Sequence, residues 1–238
     1  VTVTVALGLL GLRLVWLAGR TGELPELLLG LFFVSIGPLG FLPVFLIEFW
    51  PDARPDYVLM ARAIGATGRL LGVALLCVFT WRVFRADAAW AAVLTAGVML
   101  SLMVGYAYSA LVESFGPAAP SSPLWHLRMG TRSVVVAWCA FEPLRFTFKA
   151  RRRVALGLMS PLVANRLLLW TVWAGSCLVV QVAGYAVAYG WLEAGPAGFI
   201  RALSAAGGGF AIWLTFFPPA GYRRLFEPSP PRPGSAPF

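Results

Sequence analysis

The sequence predicts an all-α polytopic membrane protein: a seven-transmembrane-helix bundle with its N-terminus outside and its C-terminus cytoplasmic. Three observations carry that reading. Hydrophobic residues fill 59% of the 238 positions and charged residues only 12%, against roughly 45–50% and 25% in a soluble domain. The apolar residues form continuous runs of about the 20 residues that a helix needs to cross a bilayer. The cationic residues collect in alternate breaks between those runs, as they do in cytoplasmic loops.

The spans are expected at Val3–Ala18, Pro25–Phe49, Tyr57–Phe84, Ala88–Ser114, Leu124–Phe148, Pro161–Gly190 and Gly198–Phe217. The first is the shortest. No basic residue precedes it and no small-x-small cleavage site follows, so it reads as a retained helix and not a signal peptide. The second carries Gly30, Ser35, Gly37, Pro38, Gly40 and Pro43, which must interrupt its hydrogen-bond ladder near the middle. The third holds Arg69 deep inside an apolar run. The fourth and sixth place Tyr106, Tyr108, Gln181, Tyr185 and Tyr189 in their outer halves. Trp125 and His126, the one histidine, open the fifth span at the outer side. The seventh contains Gly207-Gly-Gly209, small residues that let a neighbouring helix approach closely. A β-barrel would alternate apolar and polar residues along each strand, and these runs do not.

The chain divides into a membrane domain over 1–226 and a Pro-rich disordered cytoplasmic tail over 227–238. Orientation follows from Arg20, Arg82, Arg85, Arg145, Lys149, Arg151 to Arg153, Arg223, Arg224 and Arg232, which gather on one side. The net charge of +9 comes from 19 cations, all Arg except Lys149. Spread between apolar spans, these charges point to the lipid bilayer and to anionic lipid headgroups on the cytoplasmic side as partners, and not to nucleic acid. Abundant Arg, Ala, Gly and Pro with almost no Lys suggests a GC-rich bacterial genome, hence the bacterial cytoplasmic (inner) membrane.

Several chemistries are disfavoured. Cys77, Cys139 and Cys177 sit in apolar runs with no C-x-x-C spacing and read as buried free thiols. A single His cannot form a bis-His haem site. No Ser-His-Asp set, phosphate loop or His-x-x-x-His occurs at usable spacing, and Glu113 and Glu142 lie at opposite ends of the membrane. The expectation is a protein that is not an enzyme and takes no metal or cofactor.

Ionisable groups inside apolar spans remain the most informative positions, because each costs at least about 2.5–3.5 kcal/mol at the bilayer centre unless paired or hydrated. A ligand-binding cavity open to the outside is expected beside the broken second helix, bounded by Gly37, Pro38 and Arg69 and completed by Tyr106, Gln181 and Tyr185. A second expectation rests on matched depth: Arg13, Glu142, Asn165 and Arg166 form an interhelical charge cluster near the cytoplasmic end.

The stretches Thr21-Gly-Glu-Leu-Pro-Glu-Leu-Leu-Leu-Gly30, Phe79-Thr-Trp-Arg-Val-Phe-Arg85, Val163-Ala-Asn-Arg166 with Leu167 to Trp170, and Phe216-Phe-Pro-Pro-Ala220 with Tyr222 carry a resemblance. Together they resemble a group of uncharacterised proteobacterial multi-pass membrane proteins of about seven helices and unknown function. The resemblance implies the fold and no mechanism. Microbial rhodopsins share the helix count and orientation, but the seventh span has no Lys for a retinal Schiff base.

The function expected first is an integral membrane sensor or receptor-like seven-helix module acting through a separate membrane or cytoplasmic protein partner. The broken second helix, the outer aromatic groups and the basic cytoplasmic face all suit it. A small-solute carrier or channel is the second expectation, and an accessory subunit of a larger membrane complex the third.

Overall fold

A computed structural model describes residues 2–50, 52–116 and 120–226. The Pro-rich stretch 227–238, expected as a tail, lies outside the described residues. Among the described residues every regular element is a helix and none is a strand. It begins with α1 (Thr2–Thr21) and continues into a broken second helix made of α2 (Leu24–Val34), a π-helical turn (Ser35–Leu39) and α3 (Leu42–Glu48). There follow α4 (Pro55–Phe84), α5 (Ala89–Leu111), α6 (Pro123–Ala155), α7 (Pro161–Ala188), α8 (Ala194–Phe216) and the short α9 (Ala220–Arg224).

Local chemistry explains most boundaries. Proline stands in the first turn of α2, α3, α4, α6 and α7, where its fixed φ suits a helix and its missing N–H would have had no partner. Gly22, Gly157 and Gly190 follow α1, α6 and α7 with φ near +70°, the left-handed conformation that closes a helix at little cost to glycine. Pro38 stands inside the π turn. It has no N–H to give the Val34 carbonyl, and the wider turn absorbs the break.

Among the described residues, six helical stretches are long and apolar enough to cross a membrane: Thr4–Thr21, Leu24–Glu48, Pro55–Phe84, Ala89–Leu111, Pro161–Ala188 and Ala194–Phe216. That pattern marks a multi-pass membrane protein. The 33-residue α6 is not among them. It carries Arg128, Arg132, Glu142, Arg145 and Lys149 within its length and continues to Ala155, seven residues past the Phe148 expected from sequence.

Consecutive helices pack as antiparallel hairpins. Contacts of the type Cys77 to Thr95, Ser101 to Thr131 and Ser133 to Gln181 keep each register. Their turns therefore alternate between a basic end, with Arg20, Arg85, Arg151 to Arg153 and Arg223, and an aromatic end, with Trp50, Tyr57, Trp125, Tyr189 and Trp191. α4 occupies the centre, touching the broken second helix, α5 and α6. An aromatic core of Phe32, Phe33, Phe79, Trp170, Trp173 and Phe216 joins α2, α4, α7 and α8, with ring centroids 4.9–6.5 Å apart.

Two glycine seams set the closest crossings. A Cβ on Gly11 would stand 2.8 Å from the Gly30 carbonyl oxygen, and one on Gly30 would stand 2.7 Å from the Val15 nitrogen, so α1 and α2 meet backbone to backbone. A Cβ on Gly68 of α4 would stand 2.5 Å from the Gly40 nitrogen. Gly65 and Gly72 lie against the same broken segment. Of Gly207, Gly208 and Gly209, only Gly208 serves a close contact, against Ser176 of α7.

Candidate functional site

The glycine seam on α4 positions Arg69. With Gly65 and Gly68 pressed against the break, the guanidinium turns along the second helix, and Nη1 donates to the Gly40 carbonyl at 2.7 Å. Gly40 lies between the π turn and α3, so its carbonyl is outside both helical ladders. A carbonyl of that kind at membrane depth needs a donor from protein or water, and Arg69 supplies one.

Arg69 also faces a cavity of about 330 Å³ between α4, α5 and α6. Pairwise contacts order its wall by depth. Phe115, Gly116 and Trp125 form the mouth at the aromatic end. One level down, Tyr106 shares a 2.8 Å hydrogen bond with Thr67, and the Arg128 stem lies over Gly105, where a Cβ would stand 2.8 Å away. Arg69, Arg132, Leu70 and Leu102 line the deep part. Below it, Val73, Leu76, Cys77, Thr95, Val98, Val135 and Cys139 are buried, so the cavity ends in packed side chains.

Three guanidinium groups thus share one cavity. Arg128 Nη1 donates to Ser109 Oγ and to Glu113 Oε2, both at 2.8 Å, and Ser109 Oγ donates to the same carboxylate oxygen at 3.2 Å. Arg69 is held by one carbonyl. Arg132 makes no hydrogen bond or ion pair among the described residues. One carboxylate against three arginines leaves two positive charges in a water-poor setting, where an unpaired cation is costly and an anion is strongly attracted.

Sequence reasoning named Arg69 and Tyr106, and the structure brings them to this cavity. It separates the others. Gly37 and Pro38 face α1: a Cβ on Gly37 would stand 3.0 Å from Leu7 Cβ, and the Pro38 ring packs where a Cβ on Gly8 would be. The broken helix holds Arg69 but does not line the cavity, because α1 covers its other face. Gln181 accepts from Ser133 Oγ at 3.1 Å, and Tyr185 packs edge-on against Trp125, with centroids 5.2 Å apart. Both stand behind the α6 wall. Arg128 and Arg132 were missed as site residues. Their signal was available as an i, i+4 pair on one face of a helix.

The charge cluster also requires correction. Glu142 pairs with Arg85, Nε to Oε1 at 2.8 Å, and neither Arg13 nor Arg166 is its partner. Trp138 Nε1 donates to the same oxygen at 3.3 Å, while Oε2 is buried without a partner among the described residues. Arg13 lies over the Phe217 ring at 4.4 Å, and Asn165 Nδ2 donates to the Tyr222 hydroxyl at 2.6 Å. The expected cluster rested on matched depth alone: α1 packs on the second helix, whereas the end of α4 lies directly beside α6.

No family model, curated protein or solved structure matches the chain.

Proposed function

We propose that the chain is a receptor-like module of the bacterial cytoplasmic membrane that binds a small anion in the arginine cavity and acts through a separate protein partner. The observation that carries this reading is the convergence of Arg69, Arg128 and Arg132 on one cavity where, among the described residues, Glu113 is the one carboxylate paired with them. Intramembrane cations are expensive, and a binding role is a reason to keep three of them together. The aromatic mouth and the deep arginines suit an anion whose charged group enters first. The packed floor favours a binding site over a conduit, because a carrier or channel needs a polar route to the basic end.

The same geometry supports α6 as a seventh span, with the N-terminus outside and the basic end cytoplasmic. Its charges are accommodated along its length: Arg128 by Glu113, Arg132 by the cavity and Glu142 by Arg85. The remaining cations, Arg145, Lys149 and Arg151 to Arg153, follow Glu142 toward the basic end, Arg145 over the Phe141 ring at 5.6 Å.

Detergent-purified protein titrated calorimetrically with inorganic phosphate, sulfate, acetate and benzoate tests the proposal. Saturable binding of at least one anion is expected. Arg132→Gln should weaken it tenfold or more, since a hydrogen bond to a charged group contributes about 1.5–3 kcal/mol. Absence of binding by all four, or an unchanged affinity in Arg132→Gln, overturns the reading. Uptake of the bound anion into protein-containing liposomes would favour the carrier alternative.

A further inference from the structure

A second cavity of about 590 Å³ lies between α1 and α8, at the opposite flank of the bundle from the arginine site. α1 packs on the broken second helix and α8 packs on α7. The two are left apart, and the space between them is lined by Leu9, Leu10, Ala205, Ala206, Ile212 and, at one end, Arg13. Leu9, Ala205 and Ala206 are exposed, so the groove opens sideways. In a bilayer a lateral apolar groove meets hydrocarbon.

Charge decides which lipid. Arg13 and Arg20 stand seven residues apart on α1, two turns along one helical face. The Arg13 guanidinium is seated on Phe217, the residue that caps α8, and therefore lies level with the end of that helix. Arg20 lies over Trp16 at 3.8 Å. Among the described residues no carboxylate pairs with either arginine. One face of α1 thus passes from an apolar groove to two unneutralised cations near the basic end, with an interfacial Trp beside them. That is the shape of one phospholipid: acyl chain against Leu9 and Ala206, phosphate between Arg13 and Arg20.

We infer that the groove between α1 and α8 binds one anionic phospholipid of the leaflet at the basic end, its phosphate held by Arg13 and Arg20. The groove shares no residue with the arginine cavity, so the lipid site stands or falls separately from anion binding.

Native mass spectrometry of protein released from nanodiscs of equal phosphatidylglycerol and phosphatidylcholine tests it. One phosphatidylglycerol should be retained several-fold more often than phosphatidylcholine. Arg13→Gln should abolish that preference while apolar retention persists. Ala206→Trp, which fills the exposed groove without meeting the core, should reduce retention of both lipids. An unaltered thermal unfolding midpoint in each variant shows that the bundle is intact. Equal retention of the two lipids by the native protein, a preference that survives Arg13→Gln, or retention unaffected by Ala206→Trp overturns the inference. So does a second copy of the chain that is lost from the spectrum in Ala206→Trp, since the groove would then be a helix interface.

Discussion

Glu142 has a side-chain exposure of 1% and Arg85 one of 26%, so one member of this pair is fully desolvated and the other reaches the basic end. Such asymmetry makes the two deletions unequal. Arg85→Ala strands a buried carboxylate and should cost about 3–5 kcal/mol, whereas Arg85→Ala combined with Glu142→Leu removes the charge and should recover much of that loss. Thermal unfolding of both variants checks it. A single variant no less stable than the double would show that water reaches Glu142. The pairing also marks a limit of linear reading. Counting residues from a helix end places a backbone position along the membrane normal; it matches Arg13 and Arg166 to Glu142 and leaves Arg85, the cap of α4, at the helix end, from which its long side chain reaches inward. Which arginine faces Glu142 depends on helix order around the bundle, and that order is absent from the depth count.

At the scale of elements, the broken second helix and the glycine seam of α4 act as one unit. The break exposes the Gly40 carbonyl, the seam brings α4 close enough to use it, and Arg69 joins the two. Gly68→Ala inserts a methyl group against backbone, which side-chain movement cannot relieve, so a loss of about 1–3 kcal/mol is expected. Gly97→Ala on α5 meets nothing within 4 Å and should be neutral or stabilise by up to about 1 kcal/mol through helix propensity. Unfolding midpoints of the two variants give the comparison, and equal shifts would mean that the seam is not closely packed. The break was legible from Gly37, Pro38, Gly40 and Pro43, because missing donors and flexible residues act locally. The seam was legible in principle from Gly65, Gly68 and Gly72, whose spacing of three and four keeps them on one face.

For the whole molecule, the charges on α6 decide between six crossings and seven. Topology reporters placed after Arg85 and after Arg224 should read the same, cytoplasmic, side, and one after Leu192 the opposite side. Reporters after Gly116 and after Leu158 test α6 directly. Opposite sides are expected, and a shared side would leave α6 outside the membrane. The sequence by itself determined the helical membrane class, most helix boundaries, the interruption of the second span and the place of Arg69 in the middle of a long apolar helix, since apolar run length, proline and glycine act on their own neighbourhood in the chain. Only the tertiary structure decided that Arg128 and Arg132 join Arg69, that Gly37 and Pro38 turn toward α1, that Arg85 takes Glu142, and that α1 and α8 part to leave a groove. Each of those depends on which helices lie side by side and which faces they present, and contacts between residues far apart in the chain set both.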